Sequence, residues 1–133
     1  MRLQISTDYA IRILRHLYRN DNELHTASSI AESIDVTYYF FAQIANQLKR
    51  KGLLKSTQGR KGGYQLGREA HEISLYDVYE CIEGELLINR CLIEGKLCSH
   101  GETQECKMHK LLYGVQDTMI AAMAGVTLAD LAA

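Results

Sequence analysis

Apolar residues recur three and four places apart through the first part of the chain, which is the spacing of one face of an α-helix. The pattern predicts a helix over residues 7–19 capped by Ser6, a short helix after the cap Thr26, and a third helix after the cap Thr37. A turn at residues 35–36 and a stop at Gly52 complete the pattern of a helix-turn-helix unit. The predicted core-facing residues are Ala10, Ile13, Leu14, Leu17, Tyr18, Ala27, Ile30, Ala31, Ile34, Phe41, Ile44, Ala45 and Leu48.

Two short segments at residues 53–57 and 64–66 flank the glycine-rich stretch QGRKGG, residues 58–63. Short strands around such a stretch predict a β-hairpin, here with a positively charged tip. Ser74 and Asp77 then have the spacing of a capping box, which predicts a fourth helix that ends at Gly84.

The helical period returns at Lys107 and predicts a long helix of about 17 residues with one apolar stripe. The stripe consists of Met108, Leu111, Leu112, Val115, Met119, Ile120 and Met123. Because this helix projects beyond the first half of the chain, we expect the stripe to pack against another chain. The predicted fold class is mainly α with a small β-wing: a winged helix-turn-helix plus a long C-terminal dimerisation helix.

The predicted domain organisation has three parts. Residues 1–84 form the winged helix-turn-helix domain, residues 85–106 a cysteine-containing loop, and residues 107–133 the dimerisation helix and C-terminal tail.

The net charge of −1 at pH 7 conceals an uneven distribution along the chain. Residues 1–68 carry 11 Lys or Arg and 5 Asp or Glu, whereas residues 69–133 carry 4 and 11. Between positions 49 and 68 there are seven basic residues and no acidic residue. A basic half of this kind is expected to bind a polyanion, and the alternative is a basic face that is only solvated.

Double-stranded DNA is the predicted polyanion, because an α-helix fits the major groove and a basic wing tip suits the minor groove. The candidate DNA-binding residues are Thr26, Ser28, Thr37, Tyr38, Tyr39, Gln43, Arg50, Arg60 and Lys61. Thr26 and Ser28 are placed to meet phosphate, and Gln43 to bond a base edge. The alternative for Tyr38 and Tyr39 is that they cover the edges of the core.

Three of the four cysteines lie in residues 90–109 with the spacing C-x6-C-x7-C-x2-H, formed by Cys91, Cys98, Cys106 and His109. Cys106 and His109 are one helical step apart, so they share a face at the start of the long helix. Three thiolates and an imidazole suit either an iron–sulfur cluster or zinc, and spacing alone does not separate them. A cysteine-based redox switch is the third possibility. Cys81, in the fourth helix, is interpreted as a small buried hydrophobe.

No apolar run approaches the length of a membrane span, and the mixed N-terminus does not resemble a signal peptide. We therefore expect a cytoplasmic protein without a membrane partner, in which clustered cysteines favour metal binding over disulfides. A small redox enzyme is disfavoured, since the sequence has neither a nucleotide-binding glycine motif nor a Cys-x2-Cys pair.

Nearly the whole chain resembles the IscR/NsrR family of bacterial winged-helix regulators. The resemblance is carried by Met1-Arg2-Leu3, Tyr9-Ala10, Ile30-Ala31-Glu32, Leu48, Gly52-Leu53-Leu54-Lys55-Ser56, Gly59-Arg60-Lys61-Gly62-Gly63-Tyr64-Gln65-Leu66, Ile82-Glu83-Gly84, Cys91 and Thr127-Leu128-Ala129-Asp130-Leu131. It implies a homodimer joined by the long helix and DNA binding through the third helix and the wing. In many members it also implies an iron–sulfur cluster held by three cysteines, here Cys91, Cys98 and Cys106.

The resemblance leaves two candidates for the fourth ligand. His109 matches the ligand position of IscR-like members, and Asp8 matches an aspartate that reaches the cluster of the other subunit in NsrR-like members. We favour Asp8, or another non-cysteine ligand of the first helix, over His109. Asp8 can also pair with Arg12 at i,i+4. The two intervals between successive cysteines, of six and seven residues, are both longer than in IscR, so [2Fe–2S] and [4Fe–4S] clusters both remain candidates.

The predicted function is a transcriptional regulator whose DNA affinity is switched by a cluster that senses redox state, nitric oxide or iron and cluster supply. The alternatives are a cluster-free family member that senses thiols or a partner protein, and a zinc-binding regulator.

Overall fold

Six helices and one β-hairpin make up the computed structural model, which describes residues 2–20, 23–60, 62–93 and 106–132. The elements are α1 (Ile5–Arg19), α2 (Ala27–Ser33), α3 (Tyr38–Arg50), β1 (Leu54–Thr57), β2 (Gly63–Leu66), α4 (Leu75–Glu83), α5 (Lys107–Ala124) and α6 (Leu128–Ala132). Short 3₁₀ turns cover Ala70–Glu72 and Arg90–Leu92. This arrangement confirms the predicted fold class. No helix in the described ranges is long and apolar enough to cross a membrane.

The core lies between α1, α2, α3 and the hairpin. Ten of the predicted inward residues of the first three helices are buried, and Phe41 at the centre is fully buried. Tyr18, Ala27 and Ile34 are partly buried at its edge. Amphipathic helices therefore meet through the faces that their periodicity predicted.

Helix α1 begins differently from the prediction. Ser6 lies inside the helix, and Gln4 occupies the N-cap position without a side-chain cap. The carboxylate of Glu83 on α4 accepts hydrogen bonds from the Gln4 N–H, at 3.2 Å, and from the buried Thr7 hydroxyl. The predicted Ser6 cap is wrong, since a distant carboxylate takes the place of a local cap by accepting from the Gln4 N–H.

Local side-chain caps begin the next two helices as predicted. The Thr26 hydroxyl accepts from the Ser29 N–H and the Thr37 hydroxyl from the Phe40 N–H, each at 3.1 Å. Between these helices, Asp35 adopts a left-handed conformation with φ +56°. This backbone reversal makes the tight turn of the helix-turn-helix.

The hairpin is antiparallel, with Leu54 opposite Leu66 and Thr57 opposite Gly63. Its second strand is fastened to the segment before α2, since the Tyr64 N–H donates to the His25 carbonyl at 2.7 Å. A Cβ at Gly63 would lie 2.8 Å from the same carbonyl oxygen, so a glycine is required for this close approach. The Tyr64 ring also meets Phe41 edge to face at 5.3 Å between centroids.

Helix α4 has the predicted capping box between Ser74 and Asp77, and Gly84 with φ +84° ends it. The short α6 was not predicted, although Thr127 and Asp130 reproduce the same capping pattern. The Leu75 N–H donates to the Val126 carbonyl at 2.8 Å, which brings this part of the chain back to α4. Leu128 then joins the core of the first three helices.

Helix α5 spans 18 residues, and its predicted apolar stripe is exposed along one edge and half-buried along the other. Met108, Leu111 and Val115 are 61%, 71% and 51% exposed, so they are available to another chain. Leu112, Met119, Ile120 and Met123 are half-buried. Helical periodicity alone cannot assign apolar residues to the protein's own core or to a second chain.

Candidate nucleic-acid interface and metal centre

The outward face of α3 carries long polar and aromatic side chains. Tyr38 and Tyr39 are 62% and 72% exposed, so they do not cover the edges of the core. Gln43 and Arg50, further along the helix, are also exposed. The Gln43 amide donates a hydrogen bond to the Tyr39 hydroxyl at 3.1 Å. This contact orders two candidate reading groups before any ligand binds.

The beginning of α2 and the cap of α3 contribute exposed hydroxyls, from Thr26, Ser28 and Thr37. The oxygens of Thr26 and Thr37 accept from backbone N–H groups inside their own helices. Their O–H groups remain able to donate to phosphate.

The wing lies next to α3 and is basic. Arg60 is exposed at its tip, where Gly59 has φ +106°. Lys61, the other predicted wing contact, lies outside the described residues. Burial raises the pKa of the Tyr64 hydroxyl and the neighbouring Tyr38 raises it further, so Tyr64 stays neutral near pH 7.

Two of the three clustered cysteines lie in the described residues. Cys91 is half-buried in the 3₁₀ turn after α4, and the Asn89 amide donates to its sulfur at 3.3 Å. Cys106 is half-buried immediately before α5. Cys98 lies outside the described residues. No three His, Cys, Asp or Glu side chains are grouped for a metal ion within residues 2–20, 23–60, 62–93 and 106–132.

The two candidates for the fourth ligand have different surroundings. Asp8 on α1 is 53% exposed, and its Oδ1 accepts from Arg12 Nε at 3.1 Å. His109 is half-buried on the first turn of α5. Its Nδ1 is buried and has no hydrogen-bond partner in the described part of the chain. A buried imidazole nitrogen without a partner is costly, so His109 Nδ1 is a candidate to complete a metal centre together with thiolates.

Cys81 occupies a separate environment. Its thiol donates to the Gln47 carbonyl of α3 at 3.3 Å. Burial raises the pKa of this thiol above its ordinary value, and the nearby Lys51 only partly offsets the effect. A thiol with a raised pKa is a poor nucleophile and a poor metal ligand, which agrees with the interpretation of Cys81 as a small hydrophobe, but the residue is half-buried and not buried as predicted.

Sequence reasoning missed two polar residues near the cysteine site. Asn89 bonds the Cys91 sulfur, and Gln116 on α5 accepts through Oε1 from the Ile88 N–H at 3.0 Å. Asn89 lies where the sequence has no regular period. The one available signal for Gln116 was a polar residue four positions after Leu112 on the same helix face.

A family model described as "Rrf2: Iron-dependent Transcriptional regulator" matches residues 3–133. The protein aau3 of Rhizobium meliloti is 31% identical over 132 residues, covering 98% of this chain and 84% of that protein. The putative HTH-type transcriptional regulator YffB of Lactococcus lactis is 29% identical over 136 residues, covering 99% and 87%.

Solved structures share the fold over almost the whole chain. CymR, the global cysteine regulator of B. subtilis, superimposes with a TM-score of 0.79 at 24% identity, covering 99% of this chain and 96% of that one. IscR of T. potens superimposes with a TM-score of 0.75 at 22% identity, covering 98% of this chain and 85% of that one. The oxidized form of Staphylococcus aureus CymR superimposes with a TM-score of 0.75 at 26% identity, covering 99% of this chain and 96% of that one.

Proposed function

This chain belongs to the Rrf2 family of transcriptional regulators, and from that premise we propose that it binds double-stranded DNA as a homodimer under the control of an iron–sulfur cluster. The observation that carries the cluster proposal is the buried, unpartnered Nδ1 of His109 beside Cys106, within the described residues. The function is regulatory, not catalytic.

DNA is proposed to bind across α3 and the wing. Tyr39 and Gln43 are already hydrogen-bonded to each other, so Gln43 enters the major groove with its side chain ordered. One amide hydrogen and the amide oxygen remain for an adenine edge. Arg60, together with Lys61, reaches the narrower minor groove. The phosphates are contacted by a second group of side chains, which sets the position of the protein along the DNA: Thr26, Ser28, Thr37, Tyr38 and Arg50.

The exposed face of α5 is proposed as the dimer interface. Met108, Leu111 and Val115 project from one side of the helix and remain exposed in the single chain. Two such helices packed together would bury these side chains and hold the two DNA-binding domains at the spacing of two operator half-sites. Leu111→Glu should therefore yield monomers in sedimentation equilibrium, whereas Lys110→Ala at the preceding position should not.

Cys91, Cys98, Cys106 and His109 are the proposed cluster ligands. When bound, the cluster supplies a centre that oxidation, nitric oxide or iron loss can alter. We favour His109 over Asp8, because the buried Nδ1 of His109 has no hydrogen-bond partner in the described residues, whereas Asp8 is paired with Arg12. Replacing His109 with Ala should change the visible circular dichroism of the loaded protein, and replacing Asp8 with Ala should leave it unchanged. The opposite result would assign the ligand to Asp8.

The route from this site to the reading surface is proposed to pass through α4. Residues 85–93 continue directly from α4, whose last residue, Glu83, accepts hydrogen bonds from the first turn of α1. Movement of the segment that holds Cys91 would act on that contact and change how α1 packs against α3. Small shifts suffice, since a dimer must match two half-sites at once.

Anaerobic purification followed by iron, sulfide and zinc analysis tests the proposal. We expect a coloured protein whose affinity for operator DNA, measured by fluorescence anisotropy, changes when the cluster is removed. Colourless protein with stoichiometric zinc would instead identify a zinc-binding regulator.

A cluster-free thiol sensor is the second candidate, and the fold shared with CymR structures, one of them in an oxidized form, favours it. Iron-free wild-type protein separates the two, because both candidates lose their response when Cys91, Cys98 and Cys106 are replaced with Ser. A response to thiol oxidants that persists without any bound iron would support this second candidate.

A further inference from the structure

Gln116 is a buried polar residue in the middle of α5. It is 7% exposed, and among the described residues Thr7 is the only other buried polar residue. Its Oε1 accepts from the Ile88 N–H at 3.0 Å. An amide in such a position is costly unless it is bonded, so this contact determines how the two segments pack.

The contact joins the two parts of the chain that carry cysteine-site residues. Ile88 precedes Cys91 by three residues, in the segment that follows α4. On α5, Gln116 follows His109 by two helical turns, about 10 Å along the axis, so both project from the same face. The hydrogen bond therefore ties the Cys91 segment to the helix that carries Cys106 and His109.

We propose that Gln116 is the positioning residue that sets the register between Cys91 and the Cys106–His109 pair. Leu112 and Met119 are half-buried on the neighbouring part of α5. Apolar contacts have no preferred direction, so contacts of that kind alone would not fix the position of an irregular segment along the helix. A hydrogen bond is directional and fixes one position of Ile88 along the helix. The consequence for a cluster rests on the proposed function, but the positional effect is a property of the metal-free chain.

Two variants of similar size test this role. Gln116→Met keeps the length of the side chain and removes the acceptor, whereas Gln116→Glu keeps an acceptor oxygen. In metal-free, reduced protein, we expect the Ile88 amide to exchange about tenfold faster in Gln116→Met than in wild type. Gln116→Glu should restore protection. Equal exchange in wild type and Gln116→Met would overturn the proposal.

The second readout is the reactivity of Cys91 towards a thiol reagent, in a chain with Cys81, Cys98 and Cys106 replaced by Ser. Gln116→Met should raise the rate several-fold, on the order of the change in exchange. Leu112→Ala is the matched control, since it loosens the same face of α5 and leaves the Gln116 acceptor in place. An equal rise in the Cys91 reaction rate in Leu112→Ala would show that Gln116 acts only through packing and would refute its positioning role.

The third readout is the visible circular dichroism of anaerobically loaded protein, which reports the ligand geometry. The spectrum should change in Gln116→Met and recover in Gln116→Glu. Wild-type protein that takes up no cluster would refute the proposed function alone, because amide exchange and Cys91 reactivity would still decide the role of Gln116. An altered exchange rate with an unchanged Cys91 rate would refute the positioning role alone.

Discussion

Removing the Glu83 carboxylate should destabilise the start of α1, although Glu83 lies on α4. Its Oε2 accepts from the Gln4 N–H and from the hydroxyl of Thr7, which is fully buried. Glu83→Ala leaves that hydroxyl buried without its acceptor, at a cost of about 1–3 kcal/mol in the free energy of unfolding. Glu83→Gln keeps an acceptor and loses only the charge, so its effect should be about half as large.

Urea unfolding followed by far-ultraviolet circular dichroism measures this free energy, at one protomer concentration because dimerisation adds to apparent stability. Glu85→Ala is the control, since Glu85 is exposed and lies two residues beyond Glu83. A double-mutant cycle with Thr7→Val should give a coupling of roughly 0.5–3 kcal/mol, as expected for residues in direct contact. Additive effects of the two substitutions would refute the proposed cap.

Four further predictions address the turn, the wing, the reading face and pH. Asp35→Val should lower the free energy of unfolding by about 1–2 kcal/mol in urea titrations, because a β-branched residue disfavours φ +56°, whereas Asp35→Gly should be tolerated. Gly63→Ala should weaken both thermal stability and DNA binding, because its Cβ would clash with the His25 carbonyl; retained affinity would show that the wing is dispensable. Tyr39→Phe should weaken DNA binding about three- to tenfold in anisotropy titrations and leave the melting temperature unchanged, since only the hydrogen bond to Gln43 is lost. Burial and His25 lower the pKa of His16, so the unfolded chain binds the proton more readily and stability falls as the pH drops through the unfolded value of about 6.5; His16→Gln should flatten this decline.

The sequence predicted most of the fold because the governing signals are local. Thr26, Thr37 and the Ser74–Asp77 box each lie within three residues of the N–H group that they cap. The same logic misplaced the start of α1, where the cap, Glu83, is 76 residues away from Thr7. Helix α6 escaped prediction because it is only five residues long, despite a capping pattern at Thr127.

The candidate sites were predicted unevenly for a related reason. Exposure of Tyr39 follows from its position opposite the buried face of α3, so helical periodicity finds it. Tyr38 lies seven residues before the buried Ala45, on nearly the same side, and is exposed as the first residue of the helix. The contact between Gln116 and Ile88 depends on how an irregular segment crosses a helix, and no spacing rule encodes that crossing. Residue type and spacing thus identify the ligand-bearing segments, while tertiary packing decides their register.

The return of α6 to the core has a consequence for how the protein is made. Leu128 packs in the same core as Ala10, Ile13 and Leu14, and its N–H donates to the Ile73 carbonyl at 2.8 Å. During synthesis, helices α1 to α4 emerge from the ribosome well before residues 126–132, so the nascent reading domain lacks part of its core. Contacts between segments this far apart in sequence form late and slowly. A chain released before residue 126 would carry every proposed DNA contact and still expose apolar surface on α1, which makes it a substrate for quality-control proteases and not a competitor for operator DNA.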